Sequence, residues 1–363
     1  MPVDTASTSD AVPASVTIGP VGVINALGWQ HEKVFANYLG CMPNFTHLEL
    51  APDQQTLLAK VDNSALEPLP ALYDNLAISL REQRMLRLAM MALNECLSQV
   101  ECEHPLPLFL ALPAEDEAPS SDEFPGLLNH LCGEQLAVDQ SRLINGGRAA
   151  GIAALHKAFE VINSGAYSRV IVGGVDSLVT EKTLDELISA QRLVINSHFD
   201  AIIPGEAAVF VLLEAVEGVD NPGPMLMATQ ISNDKDDALN DEDHLPVGMA
   251  QVVTRLRESI DSDALQPKTL FPPFNGESRW VEEWGECNLK NNQFISARAR
   301  YEIPASFCGD MGAAHSLFAV ALCADQLSIG LMKGPVLVCA ASDQFMRSAA
   351  IVDGRPKNKR IAA

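Results

Sequence analysis

The chain has 363 residues, 47% of them hydrophobic, enough to bury a large core and too many for disorder. Its formal net charge of −22 repels phosphate backbones and anionic lipid, which argues against nucleic acid and membrane as partners. The eight cysteines are scattered with no CxxC pair, so the chain reads as free of disulfides, metal and cofactor, in a reducing cytoplasm.

Residues 1–15 carry neither a basic start nor an apolar stretch and read as a disordered tail, not a signal peptide. A strand follows over 16–27. The period of Leu80, Met85, Leu86, Leu88, Ala89 and Leu93 predicts a helix within 77–100. An apolar strand is expected over 105–112, and an alanine-rich helix over 147–163 with Gly165 as its stop. Residues 169–174, RVIVGG, form a strand of the buried parallel kind. A helix over 181–190 and a strand over 207–214 complete an N-terminal half spanning 16–218. The Pro, Gly and Asn content of 219–224 marks a linker. The alternation then restarts through a C-terminal half, 225–352. It holds a strand over 225–231, a helix over 247–260, a strand over 269–271, a helix over 311–327 and a buried strand over 334–341. A basic tail, 353–363, ends the chain.

Two blocks read as copies. The first is GGRAAG, a small-residue helix, RVIVGG, then Asp176-Ser177. The second is CGDMGAAHS, a small-residue helix, GPVLVCAA, then Ser342-Asp343. Helices with so little bulk fit between layers, so the repeat predicts a layered α/β fold with central helices under two apolar sheets.

Gly165, the strand 169–174, Asp176-Ser177, Phe199-Asp200 and Pro204-Gly205-Glu206-Ala207-Ala208 stand in the order of the β-ketoacyl synthase pattern. Gly309-Asp310-Met311-Gly312-Ala313-Ala314 resembles that family's GH…GAAG, and Asn275-Gly276-Glu277 its HGTGT region. The resemblance covers nearly the whole chain. It implies the five-layered αβαβα thiolase-like fold, built as two pseudo-repeated halves and usually dimeric.

The resemblance breaks at the family's chemistry. Condensing enzymes place a cysteine at the tip of a central helix, where the helix dipole favours the thiolate. Counting back from Gly165 puts that position at or beside Arg148, and residues 145–151 hold no Cys, Ser or Thr. The first family histidine matches Asn275 and the second matches Asp310. The family lysine has no counterpart within 301–310, and the glycine-rich loop is replaced by 342–348. A guanidinium stays protonated and cannot be a nucleophile. Two placements are open for Arg148: a surface turn facing solvent, or a buried charge cluster with Glu277, Asp310 or both. The buried alternative follows if the guanidinium lies inside, because an unpaired buried charge costs several kcal/mol.

Cys308 and His315 form a minority candidate pair for thioester hydrolysis. Glu206, Trp280, Trp284 and His156 read as structural, and the acidic run 234–243 as a solvated loop without calcium-binding spacing. Three functions remain open. One is a condensation-inactive homologue that binds an acyl or carrier ligand or a partner, like the inactive subunits of polyketide systems. It would pair with itself or with an active ketoacyl synthase, with an acyl carrier protein as a further partner. The second is an acyltransferase or thioesterase with a non-standard nucleophile. The third is a purely structural homodimer.

Overall fold

The structure is a computed structural model that describes residues 15–114, 123–196, 198–216, 223–233 and 248–354. The acidic run 234–243, most of the 219–224 linker and nearly all of both tails lie outside the described residues.

The N-terminal elements are β1 (Ser15–Asn25), β2 (Gly28–Trp29), α1 (His31–Leu39), β3 (Thr46–Ala51), β4 (Gln54–Leu58), α2 (Leu80–Leu97) and β5 (Leu108–Leu112). They continue with α3 (Phe124–Leu131), β6 (Arg142–Asn145), α4 (Ala150–Asn163), β7 (Arg169–Ser177), α5 (Glu181–Ser189) and β8 (Glu206–Val216). The remaining chain gives β9 (Met225–Asn233), α6 (Met249–Glu258), β10 (Thr269–Phe271), α7 (Ser278–Lys290), β11 (Arg300–Tyr301) and α8 (Ala305–Cys308). It ends with α9 (His315–Ser328), β12 (Val336–Ala341) and β13 (Met346–Asp353).

Local chemistry sets the helix starts. Ser79 accepts from the Glu82 backbone N–H while the Glu82 carboxylate accepts from Ser79 N, a capping box that begins α2 at Leu80. The alanine-rich helices begin later than the sequence period suggests. A single 3₁₀ turn, Gly147–Ala149, precedes α4, and another, Gly312–Ala314, precedes α9. The segment 342–348, expected as a loop, enters β13 at Met346.

The main sheet is eleven-stranded and runs β11-β10-β12-β13-β9-β1-β8-β7-β5-β6, with β2 paired to β1. It consists of two copies of one plan. Outward from the middle, one run is β1-β8-β7-β5-β6 and the other β9-β13-β12-β10-β11. In each, the three outermost strands are parallel and the other two antiparallel. The runs join through a short β1–β9 pairing, Val16 to Leu226 and Thr17 to Met225.

Side-chain alternation builds the layers. In β12, Val336, Val338 and Ala340 face one apolar cluster, and Leu337, Cys339 and Ala341 face another. In β8, Ala207, Val209, Val211 and Leu213 share the first of these clusters, while Ala208, Phe210 and Leu212 face a third. The shared cluster holds α4 and α9. The outer clusters hold α2 on one side and α6 with α7 on the other. The order is helix, sheet, helix, sheet, helix: a five-layered αβαβα fold in two pseudo-repeated halves. From His315 to Leu327 every residue but Asp325 is buried, so α9 is covered around its whole circumference, as a central layer requires.

Candidate functional site

Arg148 sits in the 3₁₀ turn at the tip of α4 and is buried, with 8% of its surface exposed. Its Nη1 donates to Asp310 Oδ2 (2.8 Å), its Nε to the Ala341 carbonyl (3.1 Å) and its Nη2 to Asp343 Oδ1. The solvent-facing alternative is thereby excluded. Asp310, fully buried between α8 and α9, also accepts from Asn275 Nδ2 (2.9 Å) and from Gly312 N (3.0 Å). Its backbone is clamped by the 203–205 segment: Asp310 N donates to Ile203 O, and Gly205 N to Asp310 O, both at 2.8 Å.

Glu277 takes different partners. It receives both faces of Arg192, at 2.7 and 2.8 Å, together with Arg279 Nη2 (2.9 Å), Asn275 Nδ2 (3.0 Å) and Trp280 Nε1 (3.2 Å). Of the partners expected for Arg148, Glu277, Asp310 or both, it binds Asp310 and not Glu277. Arg192 reaches Glu277 first, and Asp343 supplies Arg148 with its second carboxylate. Asp343 also binds Arg192 (2.8 Å) and Arg279 (2.7 Å). Three guanidinia, Arg148, Arg192 and Arg279, thus meet three carboxylates, Glu277, Asp310 and Asp343. Trp280 lies flat beside them, with the Arg148, Arg279 and Arg347 guanidinia 5.3, 4.4 and 5.1 Å from its ring centroid.

The electrostatics follow. Burial works against the Arg148 charge, but Asp310 and Asp343 outweigh it and hold its pKa above the ordinary value. Burial would raise the Glu277 carboxyl, yet its hydrogen bonds from Arg192 and Arg279 pull it down to about 2. Asp343 is likewise held well below the usual carboxylate range, Arg148 and Arg192 overcoming its burial. The charges of Arg148, Arg192, Glu277 and Asp343 are each favoured by their partners.

Cys308 and His315 do not form a nucleophile and base. Cys308 is fully buried, burial pushes its thiol pKa far up, and its partner is Asn25 Nδ2 at 3.6 Å. His315 Nδ1 has no hydrogen-bond partner among the described residues, and burial pushes its pKa below the ordinary value. Glu206, read as structural, is buried and bound by Arg84 Nη2 (2.6 Å), Val61 N (2.8 Å) and Ser177 Oγ (2.8 Å). His156 is satisfied by Thr229 Oγ1 at 2.9 Å. Among the described residues no group of three or more His, Cys, Asp and Glu side chains is placed to hold a metal ion, and no helix is long and apolar enough to cross a membrane.

Sequence reasoning missed Arg192, Arg279, Asp343 and the role of Trp280. The one usable signal was the Ser342-Asp343 pair ending the second copy, at the place of Asp176-Ser177 in the first.

No protein-family model and no curated protein matches the sequence. Solved structures do. One described as the ishigamide ketosynthase/chain length factor matches with a TM-score of 0.73 at 13% identity, covering 95% of this chain and 100% of that one. A chain of a ketosynthase (ApeO) in complex with its chain length factor (ApeC) from Xenorhabdus doucetiae matches at TM-score 0.71 and 15% identity, covering 94% and 98%. A chain of AntDE:AntF, a type II polyketide acyl-carrier protein in complex with its ketosynthase, matches at TM-score 0.70 and 12% identity, covering 94% and 100%. The chain has the thiolase-like fold of the ketosynthases and chain length factors.

Proposed function

We propose that this chain is a condensation-inactive ketosynthase-like subunit that works by pairing with an active ketosynthase, as a chain length factor does. The observation that carries the reading is Arg148. A permanently charged side chain, tied into buried ion pairs, stands at the tip of the central helix where the resembling enzymes need a thiolate. Asn275 and Asp310 join the same cluster at the positions matched to the catalytic histidines. Neither can do a histidine's work of donating to a thioester carbonyl and stabilising the enolate that forms on decarboxylation: Asp310 is an acceptor tied to Arg148, and Asn275 spends its amide on Glu277 and Asp310. The structural neighbours named as a ketosynthase with its chain length factor support the partner. The −22 charge opposes direct docking of an acidic carrier protein, so the carrier is served by the partner subunit.

Two measurements test this. The purified chain is incubated with acyl- and malonyl-thioesters and followed by intact mass and free-thiol release; no covalent acyl adduct and no turnover are expected. The chain is then co-expressed with intact ketosynthases, those of its own source first, and a stable one-to-one complex with one of them is expected. An acyl adduct on the isolated chain, or a homodimer that ignores the ketosynthase, overturns the reading. The thioesterase alternative is disfavoured by the burial and raised pKa of Cys308.

A further inference from the structure

The outer helix α7 leaves an apolar stripe in solvent. Its inward face is Trp280, Trp284 and Cys287, which join the core cluster shared with α6. Val281, Gly285 and Leu289 follow at four-residue spacing, so they share another face of the helix, and all three are exposed. Val281 is 52% exposed and Leu289 76%. A single exposed leucine needs no explanation, but a stripe of this kind centred on a glycine does.

Gly285 stands in the middle of the helix, where glycine costs stability relative to alanine. A Cβ there would meet nothing within 4 Å, so packing inside this chain does not call for glycine. Gly151 is the contrast, since a Cβ on it would lie 2.9 Å from the Leu317 backbone. On an outer face the missing side chain makes a notch between Val281 and Leu289, into which another helix can bring its backbone close.

The two edges of the stripe differ. Along one, Trp284 Nε1 and Asn288 Nδ2 both donate to Tyr301 Oη at 3.3 Å, which holds the half-exposed Tyr301 ring beside the stripe. Along the other stand Glu282 and Glu286, both exposed, each three residues before a member of the stripe. Neither has an ion pair among the described residues, whereas Glu283 of the same helix is taken by Arg347 at 2.7 Å.

The charges select the occupant. A second copy of the chain offers only Glu282, Glu286, Asn288 and Tyr301 along the edges of its own stripe, which leaves the acids unmatched, and its net charge of −22 adds repulsion. A helix with cations along one edge of its apolar stripe matches both the notch and the acids.

We propose that this face of α7 is a docking surface for a protein partner that presents an amphipathic helix with lysine or arginine along one edge of its apolar stripe. The partner helix crosses at Gly285. Its apolar side chains lie against Val281, Leu289 and the Tyr301 ring, and its cations reach Glu282 and Glu286. The inference does not depend on a ketosynthase partner.

The test uses the full chain and fluorescently labelled peptides of about 18 residues, five helical turns. The first has leucines on one face and lysines along its edge. The second has the same composition with the leucines scattered around the helix, and the third has glutamate for every lysine. In anisotropy titrations at about 0.15 M salt, the first should bind saturably and the other two at least about tenfold more weakly. Gly285→Gln fills the notch and Leu289→Asn removes the apolar anchor, both at exposed positions. Each should weaken the first peptide at least about tenfold without lowering the thermal midpoint. Glu282→Lys combined with Glu286→Lys should reverse the preference toward the glutamate peptide. No binding of the first peptide, equal binding of the scattered one, full binding to Gly285→Gln and Leu289→Asn, or an unreversed preference overturns the proposal. So does a homodimer of the chain that Gly285→Gln abolishes, because a second copy would then occupy the face. Peptide binding is read without a ketosynthase, so the docking surface and the proposed function can fail separately.

Discussion

Asp176 and Ser342 exchange caps between the two halves of the molecule. Asp176, near the end of β7, accepts from Ala313 N at the turn leading into α9 (3.0 Å). Ser342, just after β12, accepts from Ala149 N at the turn leading into α4 (2.9 Å). β7 and β12 are corresponding strands of the two copies, and α4 and α9 the corresponding helices. Each half therefore satisfies one backbone donor at the other half's helix tip. This exchange fixes the positions of Arg148 and Asp310, because each lies within three residues of a capped turn.

The first prediction concerns that cap. Ser342→Ala removes the acceptor of Ala149 N and the hydroxyl that donates to Gly146 O. Loss of an N-cap costs about 0.5–2 kcal/mol, and burial places this one toward the upper end. Urea denaturation of the variant should show a lowered midpoint with an unchanged slope. A midpoint equal to wild type would mean that the exchanged cap does not hold the tip.

Much of this architecture is legible in the residues. β7, β8 and β12 are apolar on both faces, and such runs mark sheets covered on both sides. The copied blocks announce the repeat, since each begins with small residues that only a sandwiched helix tolerates. Other elements leave weaker traces. The hairpin of β3 and β4 is mostly polar, and β6 and β11 are short edge strands whose order comes from their neighbours. The charge cluster is the least legible part. Arg148 and Asp343 are 195 residues apart, and Arg192 and Arg279 sit in segments with no local signal. A guanidinium at a helix tip demanded a carboxylate, and that reasoning reached Asp310. It also offered Glu277 and did not reach Asp343, because which carboxylate is left for Arg148 depends on where Arg192 folds.

The second prediction tests the buried pair. Arg148→Ala leaves Asp310 and Asn275 in a buried, unbalanced site. Removing one partner of a buried ion pair costs about 3–5 kcal/mol, and that is the expected loss. The double variant Arg148→Met with Asp310→Asn removes both charges and should recover more than half of it. If the double variant were as unstable as the sum of the two single ones, Arg148 and Asp310 would not be coupled.

The third prediction concerns the contact between the central helices. A Cβ on Gly151 would lie 2.6 Å from Ser316 Oγ and 2.9 Å from Leu317 N. The Leu317 backbone belongs to buried α9 and has little room to retreat. Gly151→Ala gains helix propensity, worth under about 1 kcal/mol, but overpacking of a core costs about 1–3 kcal/mol. The balance is destabilising. Thermal denaturation should show a lowered midpoint for Gly151→Ala and none for Gly285→Ala, where a Cβ meets nothing within 4 Å.

The fourth prediction is acid sensitivity through Glu277. Its carboxyl is lowered from 4.5 to about 2 in the folded protein. A depressed carboxylate contributes stability that is present above its unfolded pKa and lost as pH falls through the folded one. The stability gap between wild type and Glu277→Gln should therefore be constant above pH 4.5 and close between 4.5 and about 2. Denaturant midpoints across that range measure it. A gap that persists unchanged at the lowest pH would show that Glu277 acts by shape and not by charge.

The fifth prediction has the opposite sign. His31 Nδ1 lies 2.7 Å from Glu95 Oε1, and the same carboxylate accepts from His31 N (2.7 Å) and Val23 N (2.8 Å). The Glu95 hydrogen bond raises the imidazole above its ordinary 6.5, partly offset by burial, with Glu95, Asp325 and Glu32 adding negative charge around it. A raised histidine contributes stability that is complete below the unfolded value and fades as pH rises through the folded one. Wild type should exceed His31→Gln by the most below the ordinary histidine value of 6.5, and the difference should shrink as pH rises through the raised folded value. Glu95 stays bound to the two backbone N–H groups throughout, so the residual difference at high pH measures packing alone. A difference that grows with pH would mean that His31 folds as the neutral donor and that its link to Glu95 is not an ion pair.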